Sequence, residues 1–298
     1  MKEPFFSIIT TAKNERNKKM LKETFENWEL TSQLFEEKTG KQVEFIFVDA
    51  GGNVKKPELT NLTIVNEDLY RKYKLDLYKQ KIIKTLEWDS PDIGRNLGTQ
   101  YAKGKILVYQ DVDSLFSTGT EEDLKYVTSL DEYRNFFDVM RNSFRKKKIV
   151  GAAPSLRPRD SKNLGRRFGC MGMNCLTYFS TKIPSIDLGS TVLGASVPGC
   201  SFAVLHDTIL KLCTSINGIK TGPYDPELAI GEDHKFSREI TKYGKVSYEK
   251  RAGVFIRTIN RVSSGYDLIK SLLYAIIWLP YYLFPEKHRY ETHSLRIK

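Results

Sequence analysis

The segment Lys105–Asp113 reads KILVYQDVD, a short apolar run that ends in two aspartates one residue apart. Such a run is typical of a buried strand that delivers acidic groups to the carboxyl edge of a parallel sheet, where α/β proteins bind ligands. One aspartate would be enough to hydrogen-bond the backbone of a turn, so the pair Asp111 and Asp113 indicates a further role. Carboxylate oxygens suit magnesium or manganese, often together with the phosphates of a substrate. The alternative is a solvated turn at the end of the strand.

The composition is that of a packed globular protein with a strong positive charge. The chain has 298 residues, of which 40% are hydrophobic and 12% aromatic, and its net charge is +11. The charge favours polyanionic partners, namely nucleic acid, phosphorylated ligands or an anionic membrane surface. The aromatic residues mostly recur at helical or strand spacing, which favours core packing over a surface that stacks bases.

The cysteines indicate neither a zinc site nor a disulfide framework. They are Cys170, Cys175, Cys200 and Cys213, whose spacings match no zinc motif and whose number is too small to staple a chain of this length. No signal peptide is visible, because the chain leads directly into a strand-like run. We therefore expect a cytoplasmic protein, with the cytoplasmic face of a membrane as a more specific location.

The N-terminal part of the chain shows alternating strands and helices. Strands are expected at Phe5–Thr11, Val43–Val48 and Leu62–Val65. The first two flank a helix whose apolar face carries Leu21, Phe25, Trp28 and Phe35 and which ends at Gly40. This succession predicts a parallel sheet. Residues 66–88 show no clear period and are left unassigned.

A second helix is predicted to lead into the KILVYQDVD strand. Ser90 and Pro91 are typical of a helix start, and Gly104 is expected to end the helix. Arg95 and Asn96 would lie in its first turns, near the edge that carries Asp111. Further on, we expect a helix with an apolar stripe at Phe136–Phe144, a strand at Ile149–Ala152 and a basic surface loop at Ser155–Arg167. A turn and strand at Pro198–Leu205 and a helix that opens at Gly231–His234 complete this part.

Several motifs in a fixed order resemble the family-2 glycosyltransferases, which are nucleotide-sugar enzymes with a GT-A fold. In chain order they are SIIT at Ser7–Thr10 with Asn14 and Glu15, FVDAGG at Phe47–Gly52, GRNLG at Gly94–Gly98 with AKG at Ala102–Gly104, DVD at Asp111–Asp113, PGCSF at Pro198–Phe202, and YD at Tyr224–Asp225 with GED at Gly231–Asp233. The resemblance spans roughly Ser7 to Tyr266. It implies an α/β fold with a Rossmann-like, mostly parallel central sheet flanked by helices, and a hexosyltransferase-like activity.

The resemblance also implies roles for individual residues. The donor would be contacted by Thr11, Glu15, Asp49 and Arg95. Asp111 would contact the donor ribose and the metal, and Asp113 would bind the metal on the diphosphate. Asp233 would act as the general base on the acceptor, with Glu232 as the alternative base. Gly199, Cys200 and Ser201 would form the acceptor loop, and Arg257 and Arg261 would contact the diphosphate from a basic loop. Two departures from the family pattern stand out. Ala50 replaces the usual second acid after the second strand, and Cys200–Ser201 replaces the usual pair in the acceptor loop.

The chemistry of sugar transfer suits these residues independently of the resemblance. A divalent metal, Mn²⁺ or Mg²⁺, would neutralise the charge of the leaving diphosphate, and one carboxylate would accept the proton of the acceptor hydroxyl. One base without a second carboxylate nucleophile implies a single displacement with inversion at the anomeric carbon. The expected partners are a UDP- or GDP-sugar donor and an acceptor that is a glycan, a lipid-linked glycan or a protein-linked glycan.

The C-terminal residues differ in composition from the rest of the chain. Residues 1–266 would form the catalytic domain, and 267–298 an apolar helix with a basic tail. Leu268–Phe284 is apolar but too short and too interrupted for a membrane span. Its aromatic and basic flank suits peripheral contact with a membrane through residues 267–290, while packing on the catalytic domain or on a second subunit is the alternative. The sequence does not indicate an oligomeric state.

Two other functions are compatible with the sequence. A metal-dependent nucleotidyltransferase also places acids beyond a nucleotide-binding sheet, but it usually carries a glycine-rich loop after its first strand. The corresponding residues here, Ala12–Arg16, contain no glycine. A basic nucleic-acid-binding protein is the other candidate because of the charge, although the ordered motifs lead us to expect no nucleic-acid partner.

Overall fold

The structure is a computed structural model, and it describes most of the chain up to residue 256. The described residues are 3–12, 18–52, 59–83, 85–86, 91–129, 132–159, 164–182, 186–187, 192–193, 195, 197, 201–216, 219–226 and 232–256. The predicted C-terminal helix and tail at 267–298 lie outside these residues, and so does the boundary at residue 266. Both stay predictions.

Strands and helices alternate along the described chain. The strands are β1 Phe6–Ala12, β2 Val43–Asp49, β3 Leu62–Val65, β4 Ile106–Gln110, β5 Leu115–Phe116, β6 Ile149–Pro158, β7 Ile186–Asp187, β8 Val192–Leu193, β9 Ser201–Leu205, β10 Thr214–Ile216, β11 Ile219–Gly222 and β12 Lys245–Ile256. The α-helices are α1 Lys18–Thr39, α2 Glu67–Lys79, α3 Pro91–Thr99, α4 Phe136–Phe144, α5 Leu164–Ser180, α6 His206–Leu212 and α7 Glu232–Ile240, and a 3-10 helix spans Glu121–Lys125.

The chain divides into two compact units. The first comprises Met1–Asp113 and Gly199–Glu227, and the second Ser114–Pro198 and Leu228–Lys298. Each unit is therefore built from two separate stretches of sequence. The main sheet of the first unit has the strand order β3-β2-β1-β4-β9, in which β9 is antiparallel to β4 and the other pairs are parallel. The predicted α/β class, with a mostly parallel sheet flanked by helices, is confirmed.

The first helix packs as its apolar pattern predicts. The indole of Trp28 stacks on the ring of Phe45 in β2, with ring centroids 6.3 Å apart and an angle of 3° between their planes. The ring of Phe35 meets that of Phe6 in β1 edge to face. Gly40 follows the helix with a φ of 64°, a left-handed conformation that glycine adopts without a steric cost.

The segment that the sequence left unassigned contains α2. Asn66 caps this helix, because its side-chain oxygen accepts a hydrogen bond from the backbone nitrogen of Leu69 at 3.1 Å. The buried face of the helix includes Tyr70, Tyr73 and Leu77, so part of its apolar stripe is made by tyrosines. A hydrophobic pattern that counts only aliphatic residues does not show this stripe.

In the second unit, β12 pairs with β6 in parallel and with β5 in antiparallel orientation. The register between β12 and β6 shifts part-way, because Glu249 lies opposite Pro154 and Gly253 lies opposite Ser155. The intervening residues 250–252 therefore have no register partner in β6. Such a bulge locally redirects the strand and its side chains.

The expectation of a basic loop at Ser155–Arg167 is wrong for the described part of that segment. The strand β6 continues to Pro158, and α5 begins at Leu164. The helix is held on β6 by Asn174, whose side-chain amide donates to the carbonyl oxygen of Leu156 at 2.9 Å and accepts from its backbone nitrogen at 2.8 Å. The sequence does not reveal the start of α5, because Arg166 and Arg167 in its first turn continue the series of basic residues that predicts a surface loop. No helix in the described part of the chain is long and apolar enough to cross a membrane.

Candidate functional site

Asp111 and Asp113 directly follow β4, in the middle of the first unit's sheet. Strand β4 lies between β1 and β9, and β1 in turn lies beside β2. Because β1, β2 and β4 are parallel, their carboxyl ends meet at one edge of the sheet. Asp49, the last residue of β2, and Asp111 therefore belong to the same edge, as the sequence predicts.

The buried side chain of Arg95 forms an ion pair with Asp111. One terminal nitrogen of Arg95 donates to Asp111 Oδ1 at 2.9 Å, and the other donates to Asp92 Oδ1 at 3.2 Å. The Arg95 side chain is only 6% exposed, whereas that of Asp111 is 44% exposed. Asp92, in the first turn of α3, belongs to this arrangement although no sequence motif indicates it. Donor contact by Arg95 stays a prediction, and in the structure this side chain positions Asp111.

Two features of its environment shift the pKa of Asp111 in opposite directions. Burial raises the pKa of Asp111 above its ordinary value, and the charge and hydrogen bond of Arg95 oppose that rise. The carboxylate keeps part of its surface in contact with solvent, so a ligand can reach it. Arg95 is thus the group that favours the charged, metal-binding form of this carboxylate.

The acids on this edge fit a divalent metal that shares its ligands with a substrate. Within the described residues, no group of three or more His, Cys, Asp or Glu side chains could hold a metal. A pair of carboxylates one residue apart, with the remaining positions filled by phosphate oxygens and water, is a common arrangement for Mg²⁺ and related cations. Asp111 and Asp113 are the residues here that could supply the protein's share.

Asp49 is buried and closes the turn that follows β2. Its Oδ1 accepts hydrogen bonds from the backbone nitrogens of Gly51 at 3.2 Å and Gly52 at 2.8 Å. Gly52 has a φ of 65°, which favours glycine. The Asp49 side chain thus closes a turn over residues 49–52, and contact between Asp49 and a donor remains a prediction.

Thr11 lies at this edge against the helix α3. Its hydroxyl oxygen is enclosed and has no hydrogen-bond partner within the described residues. A side-chain carbon added at Gly94 would lie 2.4 Å from this oxygen, so glycine is needed for the helix to approach the strand. Donor contact by Thr11 stays a prediction.

Asn96 and Tyr224 connect the two sequence segments of the first unit. The Asn96 side chain donates to the carbonyl oxygen of Tyr224 at 2.8 Å and accepts from its backbone nitrogen at 2.9 Å. The Tyr224 ring lies 5.3 Å from the Arg95 guanidinium and contacts Tyr109 edge to face. In the sequence Tyr224 stands out only as part of a motif, because contacts between residues 128 positions apart leave no local signal.

A row of buried polar side chains crosses three neighbouring strands beside Asp111. Gln110 lies opposite Ser201 in the β4–β9 register, and the alternation of side chains puts Thr10 of β1 on the same face. The Thr10 and Ser201 hydroxyl oxygens and both polar atoms of the Gln110 amide are enclosed, without a hydrogen-bond partner in the described part of the chain. Ser201, a predicted acceptor residue, is thus inside the sheet in this structure, and its predicted role is untested.

Asp233 lies at the start of α7 in the second unit, as predicted. The helix is fixed by Ser237, whose hydroxyl accepts from the backbone nitrogen of Val197 at 3.2 Å and donates to the carbonyl oxygen of Ala195 at 3.0 Å. Next to Asp233, burial and the charge of Arg238 lower the pKa of His234 from 6.5 to about 4. His234 is therefore neutral at physiological pH.

The remaining predicted site residues lie beyond what the structure describes. Glu15, Gly199, Cys200, Arg257 and Arg261 are outside the described residues, and only the helical backbone is described at Glu232. Their predicted roles remain as the sequence indicates them.

Comparison with solved structures gives several matches over most of the chain. A mannosyltransferase from Pyrobaculum calidifontis, solved with GDP-Man and Mn²⁺, has a TM-score of 0.48 and 15% identity, over 93% of this chain and 65% of its own. TarS from S. aureus, also solved with UDP-GlcNAc, has a TM-score of 0.48 and 12% identity, over 85% of this chain and 60% of its own. A glucosyl-3-phosphoglycerate synthase from Mycobacterium tuberculosis has a TM-score of 0.42 and 11% identity, over 92% of this chain and 78% of its own.

The first two matched structures are longer than this chain, which spans 65% and 60% of their lengths. No protein-family model matches the sequence, and no curated protein matches it.

Proposed function

We propose that this chain is a metal-dependent glycosyltransferase that moves a sugar from a nucleotide-sugar donor to an acceptor hydroxyl with inversion. The observation that carries the proposal is the placement of Asp111 and Asp113 at the carboxyl end of β4, with Asp111 held by Arg95. The ordered motifs supply the second line of support. Asp49 ends β2, which is separated from β4 by β1, and would offer a carboxylate at the same sheet edge for the nucleoside part of the donor.

In this proposal the residues of the first unit bind and orient the donor. Asp111 and Asp113 would hold the divalent metal, and that ion would neutralise charge on the leaving diphosphate when bound. Arg95 keeps Asp111 charged and in place. The two hydrogen bonds from Gly51 and Gly52 to Asp49 fix its carboxylate, so that it presents one oxygen in a defined direction.

On the acceptor side of the reaction, the proposed base is Asp233 at the start of α7. Asp233 would take the proton from the acceptor hydroxyl, and the anchoring of α7 by Ser237 fixes the backbone that carries it. Glu232 is the alternative base. Because a single carboxylate acts as base and none as nucleophile, the sugar would be transferred in one displacement. We propose a UDP- or GDP-sugar as the donor, and a glycan or lipid-linked glycan as the acceptor, at the cytoplasmic face of a membrane.

Ligand-dependent thermal stabilisation tests this function. The full chain is heated with a panel of UDP- and GDP-sugars, each with and without Mn²⁺, because a ligand that binds only the folded state raises its Tm. We expect at least one donor to raise Tm only with metal, and the Asp113→Asn variant to lose that shift. Asp207→Asn, a change on α6 away from this edge, is the matched control and should behave as wild type.

Release of UDP or GDP from the donor that stabilises best then measures turnover. Metal-independent stabilisation by every nucleotide, or an unchanged shift in Asp113→Asn, would contradict the proposal. Salt-dependent binding of DNA or RNA without any response to sugar nucleotides would favour the nucleic-acid-binding alternative.

A further inference from the structure

The helix α5 presents apolar side chains to solvent. Leu176 is 67% exposed and Phe179 is 64% exposed, and Met171 on the same side of the helix is also exposed. The opposite side carries the buried Cys170 and Thr177. Leu176 and Phe179 are three positions apart, and Met171 precedes Phe179 by eight positions, about two helical turns, so the three residues form one apolar surface rather than scattered exposed residues.

The charged residues within α5 and directly after it in sequence are all basic. Residues 164–186 contain no Asp or Glu, while Arg166 and Arg167 occur at the beginning of α5 and Lys182 follows its end. Lys182 lies over the ring of Tyr178, with its Nζ atom 5.2 Å from the ring centroid. A helix with a large apolar surface and basic flanks is typical of segments that lie in a membrane interface.

A basic groove runs alongside the apolar surface. Its volume is about 1040 Å³, and it is lined by residues of α5, β6 and β12 that include Arg157, Arg167, Lys250 and Arg251. The carboxylate in its lining, Glu132, is paired with Arg157 at 3.2 Å. The other three cations are exposed and form no ion pair within the described residues. The groove therefore carries an uncompensated positive charge.

The bulge in β12 explains why cations can occupy the sheet side of the groove. Lys250 and Arg251 belong to the residues that have no register partner in β6, so their side chains are not part of the regular sheet surface. The ladder resumes at Gly253. Solvent-exposed cations are thus presented beside α5 without interrupting the core of the second unit.

We propose that this surface docks on an anionic phospholipid membrane, with Met171, Leu176 and Phe179 entering the interface and the groove cations meeting lipid phosphates. An anionic membrane is the one partner that offers an apolar layer directly beneath a layer of negative charge. Each lysine or arginine near such a surface strengthens binding by about fivefold. The inference concerns where the protein is held and does not depend on its catalytic activity.

Vesicle co-sedimentation with the full chain tests the proposal. Phosphatidylcholine vesicles with and without phosphatidylglycerol are compared for the wild type, Leu176→Ser/Phe179→Ser and Lys250→Ala/Arg251→Ala. Leu210→Ser is the matched control, because Leu210 is 55% exposed on α6 in the other unit. Thermal denaturation and light scattering of each variant report its folding and its oligomeric state.

The wild type and Leu210→Ser should bind the anionic vesicles, and binding should weaken as salt is added. The Leu176→Ser/Phe179→Ser variant should bind at least about tenfold more weakly, and Lys250→Ala/Arg251→Ala should lose the preference for phosphatidylglycerol. Three results would overturn the proposal. The first is that the wild type stays in the supernatant, and the second is that Leu176→Ser/Phe179→Ser binds like the wild type. The third is that the main effect of Leu176→Ser/Phe179→Ser is a lower Tm or a changed mass. That result would mean that residues 257–298 or a second copy covers the surface.

Discussion

Arg95 lies 2.9 Å from Asp111 and connects that carboxylate to the interior of the first unit. The same guanidinium bonds Asp92 at 3.2 Å, so one cation is shared by a buried and a partly exposed carboxylate. Only the second of these carboxylates is open to a ligand. The arrangement makes the ionisation of Asp111 depend on a residue that solvent barely reaches.

Replacing Arg95 should therefore change the pH dependence of metal binding. In Arg95→Gln, the charge that opposes the raised pKa of Asp111 is gone, so the carboxylate stays protonated up to a higher pH. Mn²⁺-dependent binding of UDP and GDP is measured by titration calorimetry from about pH 8 down to about pH 5. As the pH falls, binding to the variant should begin to weaken at a higher pH than binding to the wild type. Arg71→Gln, which removes an exposed pair with Glu67, is the control and should leave the profile in place. Coincident profiles for Arg95→Gln and wild type would show that Arg95 does not govern Asp111.

Asp233→Asn should separate binding from transfer. The variant keeps the donor-binding edge, so Mn²⁺-dependent nucleotide binding should remain, while transfer should fall by about 10²- to 10⁴-fold because the acceptor proton has no base. The measurement is product formation at saturating donor. Glu232→Gln is the companion variant, and a larger loss there than in Asp233→Asn would move the base to Glu232.

The stability of the protein should fall as the pH is lowered from about 6.5 to about 4. Burial and Arg238 depress the pKa of His234 in the folded state, so the unfolded chain binds the extra proton first in this range. The contribution is full above the unfolded pKa and is lost as pH falls towards the folded one, with a total of about 1–3 kcal/mol. Urea unfolding at several pH values measures it, and His234→Gln should flatten the curve in this range. An equally steep curve for the variant would assign the effect to other groups.

The motif order and the apolar runs are enough to predict the sheet edge that carries Asp49 and Asp111. They do not predict that Arg95 bridges two acids, because Asp111 lies 16 positions away in sequence, beyond the next strand, and such a contact leaves no period. Nor do they predict α5, since Arg166 and Arg167 in its first turn continue a series of basic residues that is typical of a surface loop. The enclosed hydroxyl of Ser201 shows the same limit, because burial depends on which strand lies opposite.

Asn174→Ala should destabilise the second unit. The change removes both hydrogen bonds to Leu156 and leaves the backbone groups of β6 without that partner, which costs about 1–3 kcal/mol. Cys175→Ala, at the next and exposed position of the helix, is the matched control and should change the free energy of unfolding little. Chemical denaturation of both variants makes the comparison. Equal stabilities would mean that the helix is held on β6 by packing alone.

Gln110→Leu should stabilise the protein. Both polar atoms of this buried amide have no partner within the described residues, and a leucine of similar size removes the cost of burying them, about 1–3 kcal/mol. Gln110→Glu is the informative comparison, because it buries a charge at the same position and should lower the Tm. A less stable Gln110→Leu would indicate that the amide is satisfied in solution, for example by ordered water.

The reciprocal hydrogen bonds between Asn96 and Tyr224 join residues 128 positions apart, and β9 closes the edge of β4 from a similar distance. During synthesis, β4 therefore emerges long before the strand that pairs with it. Until residue 205 leaves the ribosome, the strand that precedes Asp111 and Asp113 has an open edge that another chain could pair with. An N-terminal fragment ending at Asp113 would lack that partner, and we expect it to aggregate rather than fold.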